Sequence, residues 1–277
     1  MDNASAVIRQ HYTRHPEIAE RIRHVLPEVG GNSMRPTYEA VSHFDQFHLG
    51  AGDATREMAR VAELQPGPLL DLGCGIGGPA RMLAHDFGCE VTGVDLTESY
   101  CQAALTLSAW TGLAGETRFV CASALDLPFP DASWPVVWSQ HTAMNIPDKT
   151  RFYQEIARVL MPGGRLVMHD IVAGTMREPY FPVPWSATPA GSFLLPARQV
   201  HERIVRSGLV EELWRDVTTA ALARMQQSKA ERAAGMPEPP GPHLVLGEDF
   251  KEMRRNLGRN MAEGRVSVVQ AVWRKPE

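Results

Sequence analysis

Between Leu69 and Pro79 the chain reads Leu-Leu-Asp-Leu-Gly-Cys-Gly-Ile-Gly-Gly-Pro, an apolar run that ends in Asp71 and leads into Gly73, Gly75, Gly77 and Gly78. Glycine lets a backbone adopt positive φ and approach a ligand with no Cβ in the way. An apolar strand that feeds such a turn and then opens a helix makes a nucleotide-binding βα unit. A second acid, Asp95, ends the run Val-Thr-Gly-Val-Asp about 20 residues past the turn, where a carboxylate can accept both hydroxyls of a ribose. No Gly-Lys-Ser/Thr follows the glycines, which argues against a nucleoside triphosphate. Side chains able to exchange a proton near neutral pH also stand out. His141 follows Ser139-Gln140, and His48 lies in Tyr38–Gly50, a segment that gathers Tyr38, Phe44, Asp45, Gln46 and Phe47.

Composition bounds what this chemistry can serve. A chain of 277 residues fits one large domain, or a domain with a sizeable lid. The net charge is −4 and the pI about 6.2, which leaves no basic footprint for a nucleic acid. No charge run suggests a tail or a membrane patch, and no apolar stretch approaches a membrane span, so a cytoplasmic protein is expected. Cys74, Cys89, Cys101 and Cys121 form no C-x-x-C pair and read as reduced, mostly buried thiols. No metal is expected. His-Glu-x-x-His is absent, and the i, i+4 pair His11 and His15 reads as two solvated histidines beside Pro16.

These residues need elements to hold them. Residues 1–65 read as a helical cap: Ile18, Ile22, Val25 and Leu26 repeat at helical spacing, Pro27–Pro36 is a break, and a further helix covers about Ala54–Leu64. From residue 66 to 277 strands and helices alternate. Strands are expected at Leu69–Leu72, Glu90–Val94, Arg118–Cys121, Pro135–Ser139 and Arg165–Val172. Helices are expected at Pro79–Phe87, Glu98–Thr111 and Lys149–Leu160, the last capped by Asp148. Helix Ala197–Ser207 and strands Leu209–Val217 and Val266–Trp273 complete the pattern. The alternation predicts an α/β fold: a Rossmann-like, doubly wound, mostly parallel seven-stranded sheet with helices on both faces. Two lid insertions interrupt it, at about 176–196 and about 218–264; the first is rich in proline and aromatic residues. Ligands of such sheets bind beyond the strands' carboxyl ends, where Asp71, Asp95, Ser123, Gln140, His141 and Asp170 converge.

Four stretches, LLDLGCGIGG at 69–78, VTGVDLT at 91–97, ALDLPFPDASWPVVWSQ at 124–140 and ARVLMPGGRLVMHD at 157–170, appear together and in order. Their combination resembles the class I S-adenosylmethionine-dependent methyltransferases. FDQFHLG at 44–50 and VVWSQHTAMNIPDK at 136–149 are similar to the small-molecule branch that includes sarcosine/dimethylglycine N-methyltransferases and natural-product tailoring enzymes. The resemblance implies S-adenosyl-L-methionine as cofactor and S-adenosyl-L-homocysteine as product. It implies that Asp71 orients the cofactor's amino group, that Gly73 and Gly75 pass against its methionine part, and that Asp95 holds the ribose hydroxyls. Leu96 would pack on adenine, Ser123, Ala124 and Leu125 would face its edge, and Gln140 would sit below the sulfonium. Many relatives carry an acid where Ser123 stands, and Asp126 is the nearby substitute.

Methyl transfer from a sulfonium needs positioning, desolvation and, for some acceptors, removal of a proton. His141, where related sequences often carry an acid, is the first candidate for that role, and His48 is the second. Substrate contacts are expected from Tyr38, Gln46, Tyr180, Trp185, Asn256 and Asn260, the two asparagines sharing one helix face. Arg35, Arg177 and Arg259 are candidates to pair with a substrate carboxylate. The leading expectation is N-methylation of an amine or amino acid, with O- or C-methylation of a natural-product intermediate close behind. A catalytically silent cofactor-binding protein is the alternative of another class. The partner is a small molecule, and a homodimer is compatible with the sequence.

Overall fold

The computed structural model describes residues 3–13, 17–30, 32, 34, 36–175, 177–234, 240–246 and 248–277. His15 and Arg35 lie outside the described residues. Four helices come first: α1 (Asn3–Tyr12), α2 (Ile18–Val25), α3 (Tyr38–Ser42) and α4 (Ala51–Val61). The alternating region follows as β1 (Gly67–Leu72), α5 (Gly78–Phe87), β2 (Cys89–Asp95), α6 (Glu98–Trp110), β3 (Thr117–Cys121) and β4 (Trp134–Gln140). It continues through α7 (Lys149–Val159), β5 (Leu160–Ala173), α8 (Ala197–Arg206) and β6 (Val210–Asp216). The chain then runs through α9 (Thr218–Ala233), α10 (Pro242–Leu246) and α11 (Glu248–Ala262) to β7 (Val266–Arg274).

The seven strands form one sheet in the order β3-β2-β1-β4-β5-β7-β6. The first five run parallel, and β7 inserts antiparallel between β5 and β6. Successive side chains of a strand point to opposite faces, and here both faces are apolar. Leu70, Leu72 and Val137 pack with Phe152 and Ile156 of α7 on one face. Leu69 and Trp138 pack with Met58 of α4 and Leu83 of α5 on the other. A sheet buried on both sides reads as near-continuous apolar runs, as Pro68–Leu70 and Pro135–Trp138 do.

Local chemistry sets the element ends. The Asp148 carboxylate accepts the Arg151 N–H at 2.9 Å and caps α7, as its spacing predicts. The strand expected at Arg165–Val172 is longer than that: β5 begins at Leu160, pairs irregularly with β4, and includes Pro162–Gly164, where Gly163 N donates to Lys275 O at 2.9 Å. The first turns of the cap fold onto the glycine loop. Ile18, Ile22, Leu26 and Phe44 share one apolar cluster with Ile76, Tyr100 and Leu107. Gly78 is required there, because a Cβ at that position would stand 2.2 Å from the Asp45 carbonyl oxygen. Beside it Arg81, fully buried, donates to Asp45 Oδ2 and to Ile76 O, each at 2.8 Å. That ion pair ties the cap to the loop.

Candidate active site

The carboxyl ends of β1, β2, β3 and β4 open into a cavity of about 1220 Å³, its mouth included. Gly73, Gly75, Asp95, Leu96, Ser123, Ala124, Leu125 and Gln140 all line it, together with His141 and His48. Their convergence follows from the topology, because β1 lies between β2 and β4. Asp95 is anchored by its own surroundings: Oδ2 accepts from Gly75 N at 3.0 Å and Oδ1 from Thr97 N at 2.8 Å. A carboxylate has about four acceptor sites, so two remain for ligand hydroxyls. Burial raises the Asp95 pKa, and these backbone donors oppose the rise.

The residues present fit an adenosyl cofactor with a charged amino end. Asp71, buried at the end of β1, does not itself line the cavity and lies behind the glycine turn that does; one of its carboxylate oxygens, Oδ2, has no partner. Burial, with Asp95 nearby, pushes its pKa up to about 7. An orphaned buried oxygen is costly unless a donor arrives, and an ammonium would supply one. Gly75, at φ 55°, borders open space: a Cβ there would meet nothing nearer than Tyr100 at 4.0 Å, so its backbone offers a ledge against which a ligand can lie. Ser123 spends its hydroxyl oxygen on Leu125 N at 3.1 Å. Asp126 does not line the cavity.

Histidines gather at the other end. The His141 ring sits 6.1 Å from that of His48 and 5.0 Å from that of His169, edge-on to both. His141 takes φ 53°, a left-handed conformation that costs a non-glycine residue about 1–3 kcal/mol. Its N–H donates to His169 O at 2.8 Å, and its ring Nε2 is buried without a partner. Burial, then His169 and His48, hold its pKa well below the imidazole range. His48 Nε2 lies 2.8 Å from Ala51 O, a pure acceptor, so Nε2 carries the proton and Nδ1 the lone pair. Thr55 Oγ1, 3.0 Å from the same Nε2, donates onward to Gln140 Oε1 at 3.1 Å. Burial pushes His48 down to about 4 and His169 down to about 3. The chain therefore presents neutral imidazoles across the physiological range.

The structure corrects several expected substrate contacts. Of the six, Trp185 lines the cavity, with its indole N–H on Ser192 Oγ at 2.9 Å. Asn256 and Asn260 share a helix face as predicted, but that face serves the lid backbone. Asn256 Nδ2 donates to Pro182 O at 2.9 Å, while Asn260 accepts from Tyr180 N at 2.8 Å and donates to Tyr180 O at 3.0 Å. Tyr180 is clasped between the guanidinium groups of Arg259 and Arg265, 3.6 and 3.8 Å from its ring centre, and does not line the cavity. Tyr38 stacks on His85 at 4.3 Å, outside the cavity. Gln46 turns to Asp45, donating at 2.9 Å. Arg177 and Arg259 are exposed and away from the cavity. His11 is not solvated: its Nε2 contacts Pro184 O at 3.0 Å.

Sequence reading missed Ile8, Tyr12, Tyr100, Thr142 and Asn145, all of which line the cavity. Tyr12 and Tyr100 stand 5.7 Å apart, edge to face, over the Asp95 end. Tyr12 lies in a helix with weak periodicity; Asn145 lies inside the stretch at 136–149, but nothing local marks it as a cavity residue.

Residues 70–168 of this sheet, which carry the glycine turn, Asp95 and the His141 strand end, match the methyltransferase domain family. Among individual proteins, the tocopherol O-methyltransferase of Arabidopsis thaliana is 42% identical over 100 residues, which cover 36% of this chain and 29% of that protein. Sarcosine/dimethylglycine N-methyltransferase of Halorhodospira halochloris is 34% identical over 125 residues, covering 43% of this chain and 45% of that one. The chain thus spans less than half the length of these relatives. In three dimensions it is similar to geranyl diphosphate C-methyltransferase from Streptomyces coelicolor A3(2), with a TM-score of 0.67 at 18% identity over 99% of this chain and 98% of the other.

Proposed function

We propose that the protein transfers a methyl group from S-adenosylmethionine to a hydroxyl oxygen of a small, largely apolar acceptor. S-adenosylmethionine supplies the activated methyl when bound. Asp71 orients the amino group through backbone or water contacts, Asp95 holds the ribose hydroxyls, and Tyr12 and Tyr100 cover that end and exclude water. His141 receives the acceptor's proton at Nε2, and His48 can take a proton at Nδ1. The observation that carries this reading is the unpartnered, neutral His141 Nε2 in a cavity that no Lys or Arg lines among the described residues. A free carboxylate, which an amino-acid acceptor would bring, needs a cation or several donors to offset its desolvation. Phe47, Met144, Ile146, Pro184 and Trp185 give the cavity an apolar wall instead. The relatives named for tocopherol point the same way. The relative named for sarcosine supports amine methylation as the second reading, and the aromatic wall could hold a cationic amine.

The test is methyl transfer from labelled cofactor to a panel of apolar phenols, aliphatic alcohols, glycine derivatives and keto acids. Label should appear on the hydroxyl compounds. Turnover confined to glycine derivatives would overturn the oxygen assignment. Tight cofactor binding without turnover on any acceptor would favour a silent binding protein.

A further inference from the structure

The Asn145 side chain, buried in the loop after β4, joins three parts of the chain that surround the cavity. Its Oδ1 accepts from the Tyr12 hydroxyl at 2.8 Å, which comes from α1. Its Nδ2 donates to Trp185 O at 2.9 Å and to Gly191 O at 3.1 Å, both in the aromatic lid. Two carbonyls can only accept and the hydroxyl must then donate, so the amide orientation is fixed by its partners. Tyr12, Asn145 and Trp185 all line the cavity. The lid's far end is pinned separately, with Phe193 N donating to Met144 O at 2.8 Å.

We propose that Asn145 is a positioning residue that latches α1 and the lid, which also touch through His11 Nε2 and Pro184 O, to the reaction edge, so that its amide holds the cavity closed over Asp95 and beside His141. The helix and the lid then open and close together, and cofactor retention is coupled to formation of the acceptor wall at Trp185. Asparagine is specified by this role. Aspartate would set oxygen against two carbonyl oxygens, and alanine would leave two carbonyls and a hydroxyl unpaired in a buried place. The proposal rests on the cofactor reading above.

The experiment compares wild type, Tyr12→Phe and Asn145→Ala by hydrogen exchange and by stopped-flow release of S-adenosylhomocysteine. Without ligand, Asn145→Ala should exchange faster than wild type in both Asn3–Tyr12 and Val183–Gly191, and Tyr12→Phe in Asn3–Tyr12 alone. Tyr12→Phe should release S-adenosylhomocysteine about tenfold faster, the effect of one buried hydrogen bond, and Asn145→Ala, which loses three, at least as fast as that, both at unchanged association rates. A residue that only stabilises the fold would not divide the two segments in this way. Asn145→Ala with wild-type exchange in both segments, or with wild-type release, would overturn the latch. If Asn145→Ala does not fold, Tyr12→Phe decides: wild-type exchange in the helix overturns the proposal. If wild type fails to bind S-adenosylhomocysteine, the cofactor reading falls, and the ligand-free exchange still decides the latch.

Discussion

Asp71 carries an unpaired buried oxygen and a carboxyl that burial pushes up to about 7, so its proposed role toward a cofactor's amino group predicts binding that depends on pH in a specific direction. A cationic amino group favours the ionised carboxylate, so binding should release a proton below about pH 7 and tighten as pH rises to that point. Calorimetry with S-adenosylhomocysteine in buffers of different ionisation enthalpy reads that proton, and Asp71→Asn should abolish its release. The folded-state pKa is raised above the ordinary carboxylate value, so the linkage to stability has the opposite sign. Between about pH 4 and pH 7 the unfolded chain ionises first, and this group's contribution to stability declines as pH rises. Asp95→Ala should weaken cofactor binding by about 1.5–3 kcal/mol, the loss of hydrogen bonds to a charged group; titration with S-adenosylhomocysteine measures it. The histidines act in another window. With His48 held at about 4 and His141 well below the imidazole range, kcat should show no histidine limb between pH 6 and 8. A limb near the free-imidazole value in the pH profile would contradict the buried geometry.

At the scale of elements, the cap and the lid depend on buried polar ties as well as apolar packing. Arg81 and Asp45 are both fully enclosed at 2.8 Å. Arg81→Met would leave Asp45 uncompensated and should cost about 3–5 kcal/mol, read as a lowered midpoint in denaturant; Arg81→Met with Asp45→Leu should recover much of it. Asn260→Ala should loosen the lid by about 1–3 kcal/mol, because it strands the Tyr180 N–H and C=O. Hydrogen exchange of residues 179–183 measures that loss, while cavity residues stay protected. The sequence made Asn256 and Asn260 legible as a pair on one helix face. Which neighbour that face meets depends on tertiary packing, and the neighbour is the lid backbone. Tyr180 was likewise visible as an aromatic residue in a long loop, but its two arginine partners come from α11 and the turn before β7.

For the whole molecule, the strand–helix alternation and the four ordered motifs contained nearly all of the sheet and the cofactor end of the cavity. Both arise from short-range patterns: apolar runs, glycine turns and acids at strand ends. The acceptor end was legible only in part. His141 and His48 stood out by type, yet Tyr12 and Thr55 carry no local signal, because each acquires its role by contact across 85 residues or more. The N-terminal helices share a cluster with α6 and the glycine loop, so the cap is built into the wall of the cavity. The proposed function rests on one arrangement, a glycine-and-acid cradle on the strand ends facing a buried, unpartnered imidazole in an apolar enclosure. The most direct test is single-turnover methyl transfer by wild type and His141→Ala, each loaded with labelled S-adenosylmethionine and mixed with the best hydroxyl acceptor from the panel. Cofactor affinity should be equal in the two, and transfer by His141→Ala slowed about 10²-fold or more, the usual contribution of a positioned base. Transfer at the wild-type rate by His141→Ala would contradict that role.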